Sequence, residues 1–177
     1  MERMYNRGKE VTVRKKRCDI LGLFLMLLLL LSCGSAQKTA EKAKRAADIR
    51  HAVEKPYFTF HATHAYPLGY HSIYLSSYYD VTVTPDTVKV HLPYYGRAYR
   101  APMDPLEGGY RFVSTDFTYR YSLGKRSGNR IAEVWIHDQG RPIMFCFDIW
   151  EEGTTRLDVN DSDRQSISFH GNINQEE

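Results

Sequence analysis

Tyr79-Asp80-Val81-Thr82-Val83-Thr84-Pro85-Asp86-Thr87-Val88-Lys89-Val90-His91-Leu92 holds two runs of strict alternation about a Pro-Asp pair. Tyr79, Val81 and Val83 alternate with Asp80, Thr82 and Thr84; Val88, Val90 and Leu92 alternate with Thr87, Lys89 and His91. Period-two alternation puts apolar side chains on one face and polar ones on the other, the pattern of a half-buried strand. Pro85 presets a turn dihedral and Asp86 can bond its own backbone, so the two runs read as a β-hairpin. A hairpin with one wet face belongs to an antiparallel sheet.

The same period runs outward in both directions. Phe58, Phe60 and Ala62 alternate with Tyr57, Thr59 and His61 on one side. On the other, Phe117–Leu123, Thr154–Val159 and Ser166–Phe169 alternate in the same way. Lys125–Asn129, Asp138–Arg141 and Glu151–Gly153 are the turns between them. Ile131–Ile136 and Ile143–Trp150 are apolar on both faces and are predicted as the central strands. Arg97–Gly109, with Pro102, Pro105, Gly108 and Gly109, is the longest irregular stretch; loops of that length are often functional. Thr39–Glu54 is rich in Ala, Lys, Glu and Arg and predicts one helix, stopped by Pro56. Its apolar stripe, Ala43, Ala46, Ile49 and Val53, is too thin to cover a sheet. A mainly β fold follows: one N-terminal helix, then about 8–10 antiparallel strands. Such a sheet must bury its apolar face on itself, as a barrel or a sandwich, and a strongly curved meander is favoured.

The N-terminus reads differently. Arg14-Lys15-Lys16-Arg17 precedes an unbroken apolar run, Ile20–Leu31. That run is shorter than the ~20 residues a membrane span needs, and a basic segment before it makes a secretory signal. Leu30-Leu31-Ser32-Cys33 resembles the bacterial lipobox, which implies cleavage before Cys33 and acyl chains on that cysteine. The expected organisation is a signal peptide over 1–32, a tether over 33–38, a helix over 39–55 and a β domain over 56–177. Of the 24 Lys and Arg and 21 Asp and Glu, seven bases and three acids fall in residues 1–32, leaving 17 and 18. A mature net charge of −1 removes the support for nucleic-acid binding. Of three cysteines, Cys18 leaves with the leader and Cys33 takes lipid. Cys146 stands alone among Ile143, Met144, Phe145 and Phe147, so no intramolecular disulfide forms and the thiol is expected in the core.

Leu92-Pro93-Tyr94-Tyr95-Gly96-Arg97-Ala98-Tyr99 is the most distinctive block. Together with the lipobox, the Phe-rich first strand, Tyr79–Val83 and the ending Ile167-Ser168-Phe169-His170-Gly171-Asn172-Ile173, it resembles the lipoprotein family called domain of unknown function 4251 over about residues 45–173. The resemblance implies a Bacteroidota lipoprotein with a β-rich fold and no known reaction, so no catalytic residue is carried over. It also implies that an acidic run just after the cysteine would send the protein to the cell surface. Gly34–Lys38 has none, so an outer-membrane protein facing the periplasm is expected, with the cell surface as the alternative.

Within the block, Pro93 ends a strand because it has no N–H for the ladder, and Gly96 permits a close backbone approach or a positive φ. Tyr94, Tyr95 and Tyr99 supply flat amphipathic rings and Arg97 a planar cation. Two readings stay open. The block is a pocket rim that stacks a ligand and anchors an anion, or a corner in which Arg97 pairs with a carboxylate and the tyrosines plug the barrel end. His61 and His64, three apart on a strand, are expected on opposite faces; no metal and no cofactor are assigned. Asp158–Asp163 lacks the Gly and Glu of a calcium loop and reads as a polar turn. No nucleophile elbow or phosphate loop is present. The leading expectation is a non-enzymatic envelope lipoprotein whose partners are the membrane, through lipid on Cys33, and a protein, envelope polymer or apolar ligand. A glycan or envelope-polymer hydrolase and a structural assembly factor are the alternatives. A hollow interior would favour an apolar ligand, a filled one with exposed aromatics a protein partner, and two facing carboxylates a glycosidase.

Overall fold

The computed structural model describes residues 33–100, 108–125 and 128–175. The signal peptide expected over 1–32 and part of the Arg97–Gly109 loop lie outside the described residues. The chain divides into two compact units, Met1–Ala43 and Lys44–Glu177. The described part of the first is the opening half of a single helix, α1 (Cys33–Glu54). The helix starts six residues earlier than expected. Ala36, Gln37 and Lys38 are good helix formers and continue the Ala/Lys-rich run, so the tether assigned to 33–38 is helical.

The second unit holds Lys44–Glu54 and ten strands: β1 (Phe58–Pro67), β2 (Ile73–Tyr74), β3 (Asp80–Val83), β4 (Val88–Pro93), β5 (Gly109–Ser114), β6 (Phe117–Leu123), β7 (Arg130–Ile136), β8 (Ile143–Ile149), β9 (Thr154–Asp161) and β10 (Arg164–Gln175). All neighbours are antiparallel. The order is β5-β4-β3-β1-β10-β9-β8-β7-β6, with β2 beside β1. The sheet is a meander whose first and last long strands pair, Phe58 against Gln175 and Pro67 against Ile167. The one break in the ring falls between β5 and β6, so the barrel is nearly closed.

The alternation fixes what faces inward. Phe58, Phe60, Val81, Val83, Val90, Phe145, Phe147, Leu157, Val159 and Phe169 are all at most 1% exposed. Phe147 meets Phe58 and Phe60 edge-on at 5.5 and 5.8 Å, and Phe145 meets Tyr110 at 6.2 Å. The interior is filled by side chains. The lower end, where β1 begins, is covered from within the same unit: Ile49, Ala52 and Val53 of α1 are buried there, and the Tyr119 hydroxyl donates to the Val53 carbonyl. Ala43 is exposed and adds nothing to that stripe.

Three sequence expectations change. β7 and β8 lie toward one edge of the strand order, and β1 and β10 occupy its middle. In a sheet curled on itself every strand covers core, so apolar residues on a second face do not mark a central position; Trp135 and Met144 pair across the outer face. Cys146 also points outward and is half-buried. A bulge in β1 between Ala62 and His64 inserts one residue into the alternation. His61 and His64 therefore share the outer face instead of opposing each other. The Asp158–Asp163 segment is, as read, the end of β9 and the tight turn into β10.

Candidate functional site

Strands β4, β5, β9 and β10 bring their polar ends together at the upper end, away from the buried residues of α1. The inward register Thr155, Leu157, Val159 continues to Asp161, so a carboxylate arrives on the core side, its side chain 0% exposed. Arg141, from the β7–β8 turn, meets it through Nε at 2.9 and 3.0 Å from the two oxygens. The Asp163 N–H donates to the same carboxylate at 2.9 Å. Arg164 approaches it at 3.9 Å, donates to the Gly109 carbonyl at 3.0 Å, and lies 5.0 Å from the ring centres of both Tyr94 and Tyr110. Two cations around one desolvated anion, with aromatic faces on the more buried one, Arg164, make a buried charged lock.

The Leu92–Tyr99 block wraps this lock. Tyr94 is half-buried, meets Tyr110 edge-on at 5.8 Å, and places its hydroxyl 2.7 Å from the Arg97 carbonyl and 3.1 Å from the Gln165 carbonyl. Burial raises the Tyr94 phenol above its ordinary value, so it stays a donor. Gly96 serves by close approach and not by a positive φ: a Cβ there would stand 2.7 Å from the Tyr94 hydroxyl. The backbone then zips onto the β9–β10 turn. The Gln165 N–H donates to the Arg97 carbonyl at 2.9 Å, and the Tyr99 N–H to the Asp163 carbonyl at 2.7 Å.

Of the four residues singled out in sequence, only Tyr94 enters the cluster. Tyr95 is half-buried, and burial, followed by the neighbouring Tyr79, raises its phenol. Tyr99 is 67% exposed. Arg97 has an exposed side chain and takes part through its backbone. The carboxylate-pairing role considered for Arg97 is filled by Arg141 and Arg164. Sequence reasoning missed Tyr110, Arg141, Asp161 and Arg164. A signal existed for Asp161, a charged residue on the inward register of an otherwise apolar strand.

Beside the lock opens a recess of about 550 Å³. Tyr79, His91, Tyr110, Gln139, Arg141 and Arg164 are among the residues lining it. Gly109, on the same lining, lets β5 lie against β4; a Cβ would come within 2.3 Å of the Leu92 carbonyl oxygen. Exposed aromatics crowd the neighbouring β1–β2 connection: Tyr66 at 39%, Tyr70 at 69% and Tyr74 at 78%. His64 meets Tyr74 at 5.2 Å and His170 meets Tyr66 at 4.5 Å on the outer face. Among the described residues no cluster of His, Cys, Asp and Glu has the arrangement of a metal site.

A family model described as "Domain of unknown function (DUF4251)" matches residues 40–173. A crystal structure of a DUF4251 family protein from Bacteroides eggerthii is similar at 15% identity and a TM-score of 0.55, covering 77% of this chain and 91% of that one. That likeness is one of fold. Among curated proteins nothing matches the chain.

Proposed function

This chain belongs to the DUF4251 family, and from that premise we propose that it is a non-enzymatic binding domain of the bacterial envelope, held to the outer membrane by acyl chains on Cys33. The leader of basic Arg14–Arg17, apolar Ile20–Leu31 and the Leu-Leu-Ser-Cys tetrad supports the anchor. The observation that carries the binding role is the filled interior. With Phe58, Phe60, Phe145, Phe147 and Phe169 wholly buried against one another, the barrel has no room for an apolar ligand inside. Recognition is left to its upper mouth and outer face, where the recess and the exposed tyrosines lie. An envelope protein or polymer fits such a surface better than an apolar small molecule.

The hydrolase alternative finds little support. Glycosidases need two carboxyl groups about 5–9.5 Å apart across a cleft. The described lining of the recess contains none, and Asp161 beneath it is engaged by Arg141. Two experiments test the proposal. Cys33→Ser should abolish metabolic labelling with palmitate and release the protein from the membrane fraction. Persistent membrane attachment of that variant would refute the anchor. Gly34–Lys38 carries no acid, so the domain faces the periplasm and protease added to intact cells should spare it; ready shaving would place it on the surface.

A further inference from the structure

We propose that the upper recess is a binding site for an acidic saccharide: a sugar ring bearing a carboxylate or a phosphate. The inference rests on the binding-domain reading and names the ligand class for it. Three arginines, Arg111, Arg141 and Arg164, line the recess, and no carboxylate does so among the described residues. Arg141 engages the buried Asp161 through Nε alone. Its terminal N–H groups have no hydrogen-bond partner among the described residues, and its side chain is 27% exposed. A guanidinium held by its Nε edge presents a planar fork to an incoming oxyanion.

A second observation points the same way. Tyr110 is 1% exposed, and its hydroxyl has no hydrogen-bond partner among the described residues. Native proteins rarely leave a buried hydroxyl unpaired, and each such group calls for a reason. Burial, followed by the Asp161 charge, pushes the phenol upward, so it keeps its proton and remains a donor. Tyr110 lines the recess, and its hydroxyl, itself closed off from solvent, lies in the field of Asp161, Arg164 and Arg141. A ligand oxygen that reaches in between Arg141 and Tyr110 would complete its bond.

The remaining lining suits a sugar ring. Tyr79 and Phe112 are half-exposed aromatic faces on the wall, against which a pyranose can lie. Gln139 and His91 offer hydrogen-bonding groups for ring hydroxyls. A recess of about 550 Å³ falls within the range of ligand sites and is larger than a lone ion requires.

Calorimetric titration of the lipidated protein in detergent micelles tests this. Glucuronate and glucose 1-phosphate are the probes, with glucose and inorganic phosphate as controls. At least one acidic sugar should bind at least about tenfold more tightly than glucose, because a charge-assisted bond is lost without the oxyanion. It should also bind more tightly than phosphate alone. Which acidic sugar wins identifies the oxyanion as carboxylate or phosphate. Arg141→Gln should weaken that binding about tenfold, and Tyr110→Phe about fivefold. If Arg141→Gln fails to fold, Tyr110→Phe decides, since it removes only an unpartnered hydroxyl. Equal binding of acidic and neutral sugars, no binding of either acid, or unchanged affinity in Tyr110→Phe would overturn the proposal. Such a failure in a protein that still requires Cys33 for membrane attachment would remove the ligand class and leave the anchored domain standing.

Discussion

Replacing Asp161 with alanine is the most revealing perturbation of the upper end. The carboxylate is fully buried, accepts both close contacts from Arg141 and the Asp163 N–H, and faces Arg164, itself 7% exposed. Removing one partner of a buried charge pair costs about 3–5 kcal/mol, because the other charge is left uncompensated. Arg141 can relax into the recess and solvent. Arg164 has less freedom, lying against the Tyr94 and Tyr110 rings and bonded to the Gly109 carbonyl. The lower part of the range, about 3 kcal/mol, is therefore expected, out of a total stability of about 5–15 kcal/mol. At roughly 3–5 °C per kcal/mol for a unit of this size, the melting temperature should fall by roughly 10–15 °C. Scanning calorimetry of the mature protein reads it directly. Arg97→Ala, with an exposed side chain, is the control and should move the midpoint by no more than about 2 °C. A drop of that small size for Asp161→Ala would refute the charged lock as a structural element.

Phe147→Ala removes a ring packed on Phe58 and Phe60 and should cost about 3–5 kcal/mol in chemical denaturation, whereas His61→Ala on the outer face should cost little. Cys146 has its thiol pushed up to about 11 by burial and then by Glu133, Asp158 and Asp148. Only the thiolate alkylates, so iodoacetamide should react slowly at mildly alkaline pH, faster as the pH nears that value, and fast after unfolding. His170 has its basicity lowered by burial and then by Arg156. The unfolded chain then binds the proton more readily, so stability is full above the ordinary histidine range, near 6.5, and declines as the pH falls below it. His170→Gln should flatten that decline in pH-dependent melts.

The architecture was largely legible because it rests on a local signal. Val81, Val83, Val88 and Val90 alternate inward in the structure as they alternate in sequence, and the Pro85-Asp86 turn sits between β3 and β4 as read. What failed depended on longer-range geometry. Strand order cannot be read from two-faced apolar segments when the sheet closes on itself, which is why β7 and β8 were misplaced. The inward or outward aim of Cys146 depended on the register of β8, and that of His64 on a bulge whose cause lies in pairing with β10. β5 was overlooked because Gly109–Ser114 carries weak alternation. At the site, the sequence singles out the Leu92–Tyr99 block as either a pocket rim or a corner, and the structure wraps it around the charged lock. Its partners were not found, because Arg141 and Asp161–Arg164 are polar residues at turns, where charge is ordinarily solvated. Only the convergence of four strand ends turns them into a buried cluster.

The anchor is the claim on which the functional account most depends, and intact mass spectrometry of the protein purified from bacterial membranes tests it most directly. The mature chain should begin at Cys33. Its N-terminal peptide should carry the mass of acyl chains on the cysteine sulfur and amine. A chain beginning at any other residue, or one with a free Cys33 thiol, would contradict the lipid-anchored reading.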